Sequence, residues 1–236
     1  MIDTNVYLSR WPFRRLRGDE TPELVAMLRR AGVTQAWAGS FDALLHKDVA
    51  GVNARLAEEC RRHGDGFLVP FGAVNPTLPD WEEDLRRCHE VYKMPGIRLH
   101  PNYHGYTLED LRFAEVLAHA QERKLVVQIA CRMEDVRTQH PLLQVPDVNP
   151  TPLATLKAPG VRLMLLNIAK PPAGLPFDIA VIERAAGVAN VGTDRACFGS
   201  FAPFFILESA VLKLKESAVD VAKLDANAAK LLKQGS

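Results

Sequence analysis

In IDTNVYL (2–8), near the start of the chain, Ile2, Val6 and Leu8 share one face with Thr4, while Asp3, Asn5 and Tyr7 share the other. Side chains of a strand point alternately to its two faces, so this pattern predicts a strand carrying a polar stripe. Apolar runs follow at VTQAWAGS (33–40), GFLVPFGAVN (66–75), PGIRLHP (95–101), LVVQIAC (125–131) and VRLMLLNI (161–168). Between them, helical spacing is predicted near 22–31, 49–62, 80–92, 108–122, 151–158 and 177–186. Two more helices, near 203–216 and 220–233, end the chain. Thr21-Pro22-Glu23 offers a capping hydroxyl before a proline, and Thr107-Leu-Glu-Asp reads as a capping box with Asp110 in the third place.

Strands that alternate with helices pair in parallel, as an open doubly wound sheet or a closed barrel. No G-x-G-x-x-G follows the first strand and no phosphate-binding G-x-x-x-x-G-K-S/T occurs, which weakens a nucleotide reading. Asp3, Asn5 and Tyr7, then Arg98 and His100, then Gln128 take alternate positions near the C-terminal ends of three strands. That is where a (β/α)8 barrel builds its site, so the expected fold is an α/β TIM-like barrel spanning residues 1–236 as one domain. From Gly187 to Pro203 there is room for two short extended pieces but no helix between them. A parallel crossover needs about a dozen residues, so the barrel is expected to be distorted or abbreviated around its seventh strand–helix unit.

Composition narrows the function. A net charge of +1 gives no reason to expect nucleic acid or an acidic membrane surface, and no apolar run approaches a membrane span of about 18 residues. No secretory signal is visible at the N-terminus. Cys60, Cys88, Cys131 and Cys197 form no Cys-x-x-Cys pair, which suits reduced thiols in a cytoplasmic protein. Core packing is a better use for Cys131 and Cys197 than nucleophilic catalysis.

Three stretches carry candidate chemistry. In GIRLHPNYHGYTL (96–108), Arg98 and His100 point one way, and Asn102, Tyr103, His104 and Tyr106 crowd the turn that follows. Such a cluster suits recognition of a polar small molecule, although His100 could instead satisfy buried backbone groups. The long loop CRMEDVRTQHPLLQVPDVNPTPL (131–153) holds Arg132, Arg137, His140 and Asp147, with prolines at 141, 146, 150 and 152, and reads as an ordered lid. Its arginines could equally tie the loop to carboxylates beneath it. Arg10, Arg14, Arg15 and Arg17 follow the first strand beside Trp11 and Phe13. They could form an anion-binding mouth with Arg98 and Arg132, a solvated face, or a homo-oligomer contact anchored by the two aromatics.

Taken together, these stretches resemble the amidohydrolase-related family of metal-dependent hydrolases and decarboxylases. IDTNVYL is similar to the family's opening Asp-x-His-x-His strand, and GIRLHPNYHGY to its fourth-strand signature. CFGSFAPF resembles the eighth-strand Gly-Ser/Thr-Asp-x-Pro motif, and LDANAAKLL the closing helix. The resemblance implies a TIM barrel whose divalent metal is held by histidines of strands one, five and six and an aspartate of strand eight. Here Asn5 and Tyr7 stand at the histidine pair, Gln128 and Asn167 near the ligands of strands five and six, and Phe201 at the aspartate. Neutral amides are poor zinc ligands and a phenyl ring is none, so no metal or other cofactor is expected. His100, His104, His140, Asp3 and Asp194 remain as a less favoured alternative donor set.

Two functions stay open. The first is a hydrolase or lyase relative working without the standard metal. His100 is then the catalytic acid/base, and Asn5, Tyr7, Arg98, Asn102, His104, Gln128, Arg132 and Asn167 bind a small carboxylate-bearing substrate. The second is a non-catalytic pseudoenzyme that binds a small molecule or serves as a partner in an oligomer.

Overall fold

The computed structural model describes residues 1–64, 66–155, 160–182, 185–217 and 219–233. β1 (Ile2–Leu8) pairs in parallel with β2 (Gln35–Ser40), and the order continues without interruption through β3 (Leu68–Ala73), β4 (Gly96–Leu99), β5 (Val126–Ala130) and β6 (Arg162–Leu166) to β7 (Phe177–Asp178) and β8 (Ala196–Cys197). The ring closes just past β8. Thr4 N donates to Phe198 O, Phe201 N to Asn5 O and Tyr7 N to Ala202 O, each at 2.9 Å. Parallel strands are covered on both faces, which explains why six of the seven residues of β1 are buried despite its polar stripe.

The helices are α1 (Thr21–Arg30), α2 (Val49–Gly64), α3 (Trp81–Glu90), the single turn α4 (Pro101–His104), α5 (Leu111–Glu122), α6 (Ala185–Val191), α7 (Leu207–Ser217) and α8 (Val221–Lys233). Two start signals act differently from expectation. Glu20 takes the N-cap position of α1 with no side-chain cap. For α5, Asp110 itself caps the helix by accepting from Arg112 N at 3.0 Å, so the helix begins after Asp110 rather than at Thr107. A carboxylate two residues from an exposed N–H closes the shorter loop.

The closing helix fastens both ends of the barrel. Asn227 Nδ2 donates to Thr193 O and Ala196 O, beside β8, and Asp225 accepts from Ile2 N at 2.7 Å. Ala228 and Leu231 of α8 plug the barrel bottom against Trp37, Phe71, Val126, Met164 and Cys197. All four cysteines are buried free thiols. Burial pushes Cys60, Cys88 and Cys131 up to about 12, which removes the thiolate a nucleophile needs.

Around the seventh unit the expected abbreviation is present, but in a different place. The segment expected as a helix over 177–186 starts instead as the two-residue β7, and a seven-residue helix, α6, follows before β8. Phe177 pairs with Leu165 and with Ala196, and Ile179 and Ile182 enter the main core. Their apolar spacing therefore serves packing against the barrel wall, which helical periodicity alone could not distinguish. Of the helix expected over 151–158, Thr151–Ala154 is one 3₁₀ turn broken into by Pro150 and Pro152, and residues 156–158 lie outside the described residues.

Candidate functional site

Arg98 lies in the barrel interior, 1% exposed. Its Nε donates to Gln128 Oε1 at 2.9 Å, one terminal nitrogen to Val6 O at 2.8 Å, and the other to Trp37 O at 3.0 Å and Thr4 O at 3.4 Å. Its charged carbon sits 4.5 Å from the centre of the Tyr7 ring, a cation–π contact. The pairing of β1 with β2 shifts register between Asp3 and Val6, and a bulge of this kind frees carbonyls from the ladder. Thr4 O and Val6 O flank that shift and accept from the guanidinium instead. Gly39 makes the approach possible, since a Cβ there would meet an Arg98 terminal nitrogen at 2.8 Å. Gln128 completes the arrangement by donating Nε2 to Thr4 O at 2.9 Å.

A second set of polar groups joins β1 to β6 and β7. Asn5 Nδ2 donates to Asn167 Oδ1 at 2.7 Å and to Asp178 Oδ2 at 2.6 Å. Asn167 donates its backbone N–H to Asp178 Oδ1 at 2.9 Å and its side-chain amide to Arg132 O at 2.7 Å. Asn167 has φ 55°, a left-handed conformation that asparagine tolerates better than most residues. Asp3 Oδ1 accepts from Asn5 N and Ser200 N, but Asp3 Oδ2 and Asn5 Oδ1 are buried without partners among the described residues. Burial raises Asp3 to about 7 and Asp178 to about 6, because removal from water penalises the charged carboxylate.

At the mouth, Tyr7 Oη lies 2.9 Å from His100 Nε2. Burial, then the neighbouring His104, then Arg98, hold His100 well below its ordinary value, so its ring is neutral. Burial raises Tyr7 to about 12, leaving the phenol protonated, so the tautomer of the neutral ring decides whether the phenol O–H or the ring N–H donates. Tyr7 also stacks on Phe41, with centroids 4.6 Å apart, and meets Phe201 edge-on. His104 Nε2 bonds Ala43 O at 2.8 Å, fixing α4 to the turn after β2.

The loop after β5 folds over this mouth as an ordered cover. Gln139 bonds Glu134 O, Val145 O and Val145 N, Asn102 donates to Pro146 O, and Arg132 pairs with Asp147. Arg132–Asp147 and Arg137–Asp135 are ties within the loop itself, between residues of the same segment. Beneath it, beside His100, the free volume is about 10 Å³, close to the room of one water. A depression of about 1050 Å³ opens next to it, lined by Arg14, Arg132, Met133, Phe201, Phe204 and Lys213, among others. Of the basic run after β1, Arg14 reaches this depression and pairs with Glu134. Arg10 pairs with Glu20 and Arg15 with Asp19 on the surface, and Arg17 lies 3.9 Å from Glu208.

The structure thus gathers Asn5, Tyr7, Arg98, His100, Gln128 and Asn167 in the interior, and places Asn102 and His104 on α4 and Arg132 in the loop after β5. The donor set does not fit the divalent metal implied by the resemblance. Gln128 Oε1 is taken by a cation, Asn5 presents N–H groups to Asn167 and Asp178, and Phe201 offers no donor atom. Among the described residues no three His, Cys, Asp or Glu side chains are grouped to share an ion. Asp178 and Ser200 are parts of this network that sequence reasoning missed. Asp178 lay within an apparent helix, and nothing in its neighbours marked it as inward-facing.

A family model described as Amidohydrolase matches residues 7–146, more than half of the chain. No curated protein matches. Among solved structures, 2,6-dihydroxybenzoate decarboxylase from Rhizobium superposes with a TM-score of 0.72 at 13% identity, covering 99% of this chain and all of that one. 5-Carboxyvanillate decarboxylase from Sphingomonas paucimobilis gives 0.75 at 11% identity, covering 99% and 98%. A dihydroxybenzoic acid decarboxylase from Polaromonas sp. JS666, with bound manganese and 2-nitroresorcinol, gives 0.72 at 13%, covering 100% and 97%. At these identities the likeness is one of fold, and it agrees with the closed parallel barrel. On the strength of the family match, the chain belongs to the amidohydrolase family.

Proposed function

We propose that this member of the amidohydrolase family binds a small carboxylate-bearing molecule at the barrel mouth without the divalent metal centre of its relatives. The observation that carries the reading is the hydrogen-bonded interior. Asn5, Gln128 and Asn167 bind one another's neighbours and a guanidinium, where the resemblance would seat metal ligands. Arg132 on the rim supplies positive charge for the carboxylate, the Phe201 and Phe204 rings supply an apolar wall, and His100 with Tyr7 supplies the proton-handling pair beneath. The solved relatives act on aromatic carboxylates, according to their descriptions, which makes benzoates the first ligands to try.

A second, non-catalytic reading draws on the 10 Å³ left beside His100, which admits no substrate unless the lid shifts. Two measurements test these readings. Elemental analysis of protein purified without chelators is expected to show no stoichiometric zinc, manganese or iron, and one equivalent would overturn the metal-free reading. A panel of hydroxylated benzoates, lactones and amides should include a binder whose affinity falls at least tenfold in His100→Ala and Arg132→Ala. Turnover of that binder selects the enzyme reading, binding alone selects the pseudoenzyme, and unchanged affinity in both variants removes the site assignment.

A further inference from the structure

We propose that the bottom of the barrel carries a second ligand site, built for a small molecule bearing a phosphoryl dianion, between the starts of β4, β5 and β6. It lies at the opposite end of the strands from the mouth and does not depend on what binds there.

The site is a cavity of about 250 Å³. Pro95 and Leu125, one residue before β4 and β5, and Arg162, the first residue of β6, fix its position. Its polar lining is His89, Lys93, Arg123, Lys124 and Arg162; the rest is apolar, and among the described residues no carboxylate lines it. The whole chain has a net charge of only +1. Two lysines and two arginines around one cavity are therefore a local excess of positive charge, of the kind that concentrates anions. The larger cavity beside α1 and α2 is different, since there Arg10, Arg55 and Arg62 share the lining with Glu20, Asp42 and Glu58.

Cations at helix C-termini are ordinary, because they offset the partial negative charge of the last carbonyls, and α3, α5 and α8 all end at this cavity. The two arginines partly fit that explanation. Arg162 donates to Leu231 O and Leu232 O, and Arg123 donates to His119 O at 3.2 Å. Arg123 also pairs at 3.4 Å with Glu122, which is 69% exposed and outside the lining. Its Nε is buried without a partner among the described residues, which leaves one donor of that guanidinium unmatched.

The lysines do not fit it. Backbone N–H groups already bond carbonyls at the ends of α3 and α5: Tyr92 N to Arg87 O, Met94 N to Cys88 O, Lys124 N to Gln121 O and Leu125 N to Ala120 O. The side chains of Lys93 and Lys124 make no hydrogen bond or ion pair with any described residue. Both residues have left-handed backbone angles, φ 54° and 52°, where glycine is the favoured residue at a helix end. Two unpaired lysines thus stand against local preference on the rim of one cationic cavity. Guanidinium forks and lysine ammonium groups suit phosphoryl oxygens. The volume falls just below that of pockets for drug-sized ligands, which limits the occupant to phosphate or a small phosphate monoester.

The test titrates the parent protein at pH 8, where the phosphoryl group is doubly charged. Inorganic phosphate and glycerol phosphate are compared with sodium chloride of equal ionic strength, by calorimetry and by thermal unfolding. At least one phosphoryl probe is expected to bind saturably in the millimolar range or tighter, and to raise the Tm by about 3 °C at a concentration well above its Kd. Glycerol phosphate binding assigns an ester, and binding of inorganic phosphate alone assigns the free ion. Lys93→Gly with Lys124→Gly should hold or raise the Tm without ligand, since glycine suits both backbone angles, yet weaken binding by about tenfold or more. Lys93→Gln with Lys124→Gln, which removes the charges alone, should weaken it alike and carries the test if the glycine pair does not fold. Arg132→Ala should leave binding unchanged. Absence of saturable binding, an equal Tm rise in sodium chloride, undiminished binding in the lysine variants, or failure of both pairs to fold overturns the proposal. Binding lost in Arg132→Ala instead places the anion at the mouth and also overturns it. A failed ligand screen at the mouth leaves this result standing, and the reverse holds as well.

Discussion

The hydroxyl of Tyr7 and Nε2 of His100 stand 2.9 Å apart, joining the first strand to the end of the fourth among buried side chains. The bond orients a neutral imidazole whose Nδ1 has no hydrogen-bond partner among the described residues. A neutral, oriented imidazole is a potential base, and its orientation depends on Tyr7. Tyr7→Phe leaves Nε2 buried without this partner, so it should cost about 1–3 kcal/mol in urea unfolding. His100→Ala in the Tyr7→Phe background should then cost less than in the parent, and equal costs would show that the bond does not couple them.

Asp3 gives the interior a pH dependence of definite sign. Its folded value is about 7 against 3.8 for the free side chain, so between these values the folded chain holds the proton more tightly than the unfolded one. Its contribution to stability is therefore complete below about pH 3.8 and falls away as the pH rises through about 7. Asp178 works in the same direction, whereas His100 and His104, both lowered, lose stability as the pH drops. Asp3→Asn isolates the first effect. Relative to the parent, its unfolding free energy should gain on the order of a few kcal/mol between pH 4 and pH 8. A constant difference across that range would show that Asp3 ionises normally.

Gly39 is a steric statement about Arg98. Gly39→Ala puts a methyl group 2.8 Å from a guanidinium nitrogen and 2.9 Å from Arg98 Cδ, and should cost about 1–3 kcal/mol through the shift it forces. The same substitution in Arg98→Lys, whose slimmer head can move aside, should cost less. If both backgrounds lose equally, the penalty comes from the strand and not from the guanidinium.

One side chain clamps the middle of the lid. Gln139 supplies three bonds that hold 134 to 145, and Gln139→Ala removes them together. Loss of this clamp should accelerate amide exchange of Val145 by about tenfold or more while strands β4 and β5 exchange as before. Unchanged exchange at Val145 would place the closure in the Arg132–Asp147 pair instead.

Periodicity along the chain was enough to predict the barrel and six of its strands, because a strand buried on both faces and a helix buried on one leave different apolar repeats. It also predicted that Asp3, Asn5, Tyr7, Arg98, His100 and Gln128 face inward, since parity along a strand needs no tertiary information. What Arg98 does there was not legible. Sequence alone suited it to an incoming anion, whereas the structure commits it to carbonyls freed by an irregularity in β1. β7 was mislaid for a related reason: two residues are too few to show a repeat, and they are a strand only because their neighbours hold them. Asp178 entered the interior with β7. The sequence by itself therefore determined which positions are buried and which way they face. Only the tertiary structure decided which polar groups meet and how they pair, because hydrogen bonds across a barrel join residues far apart in the chain, as Asp3 and Ser200 do at 197 positions' separation.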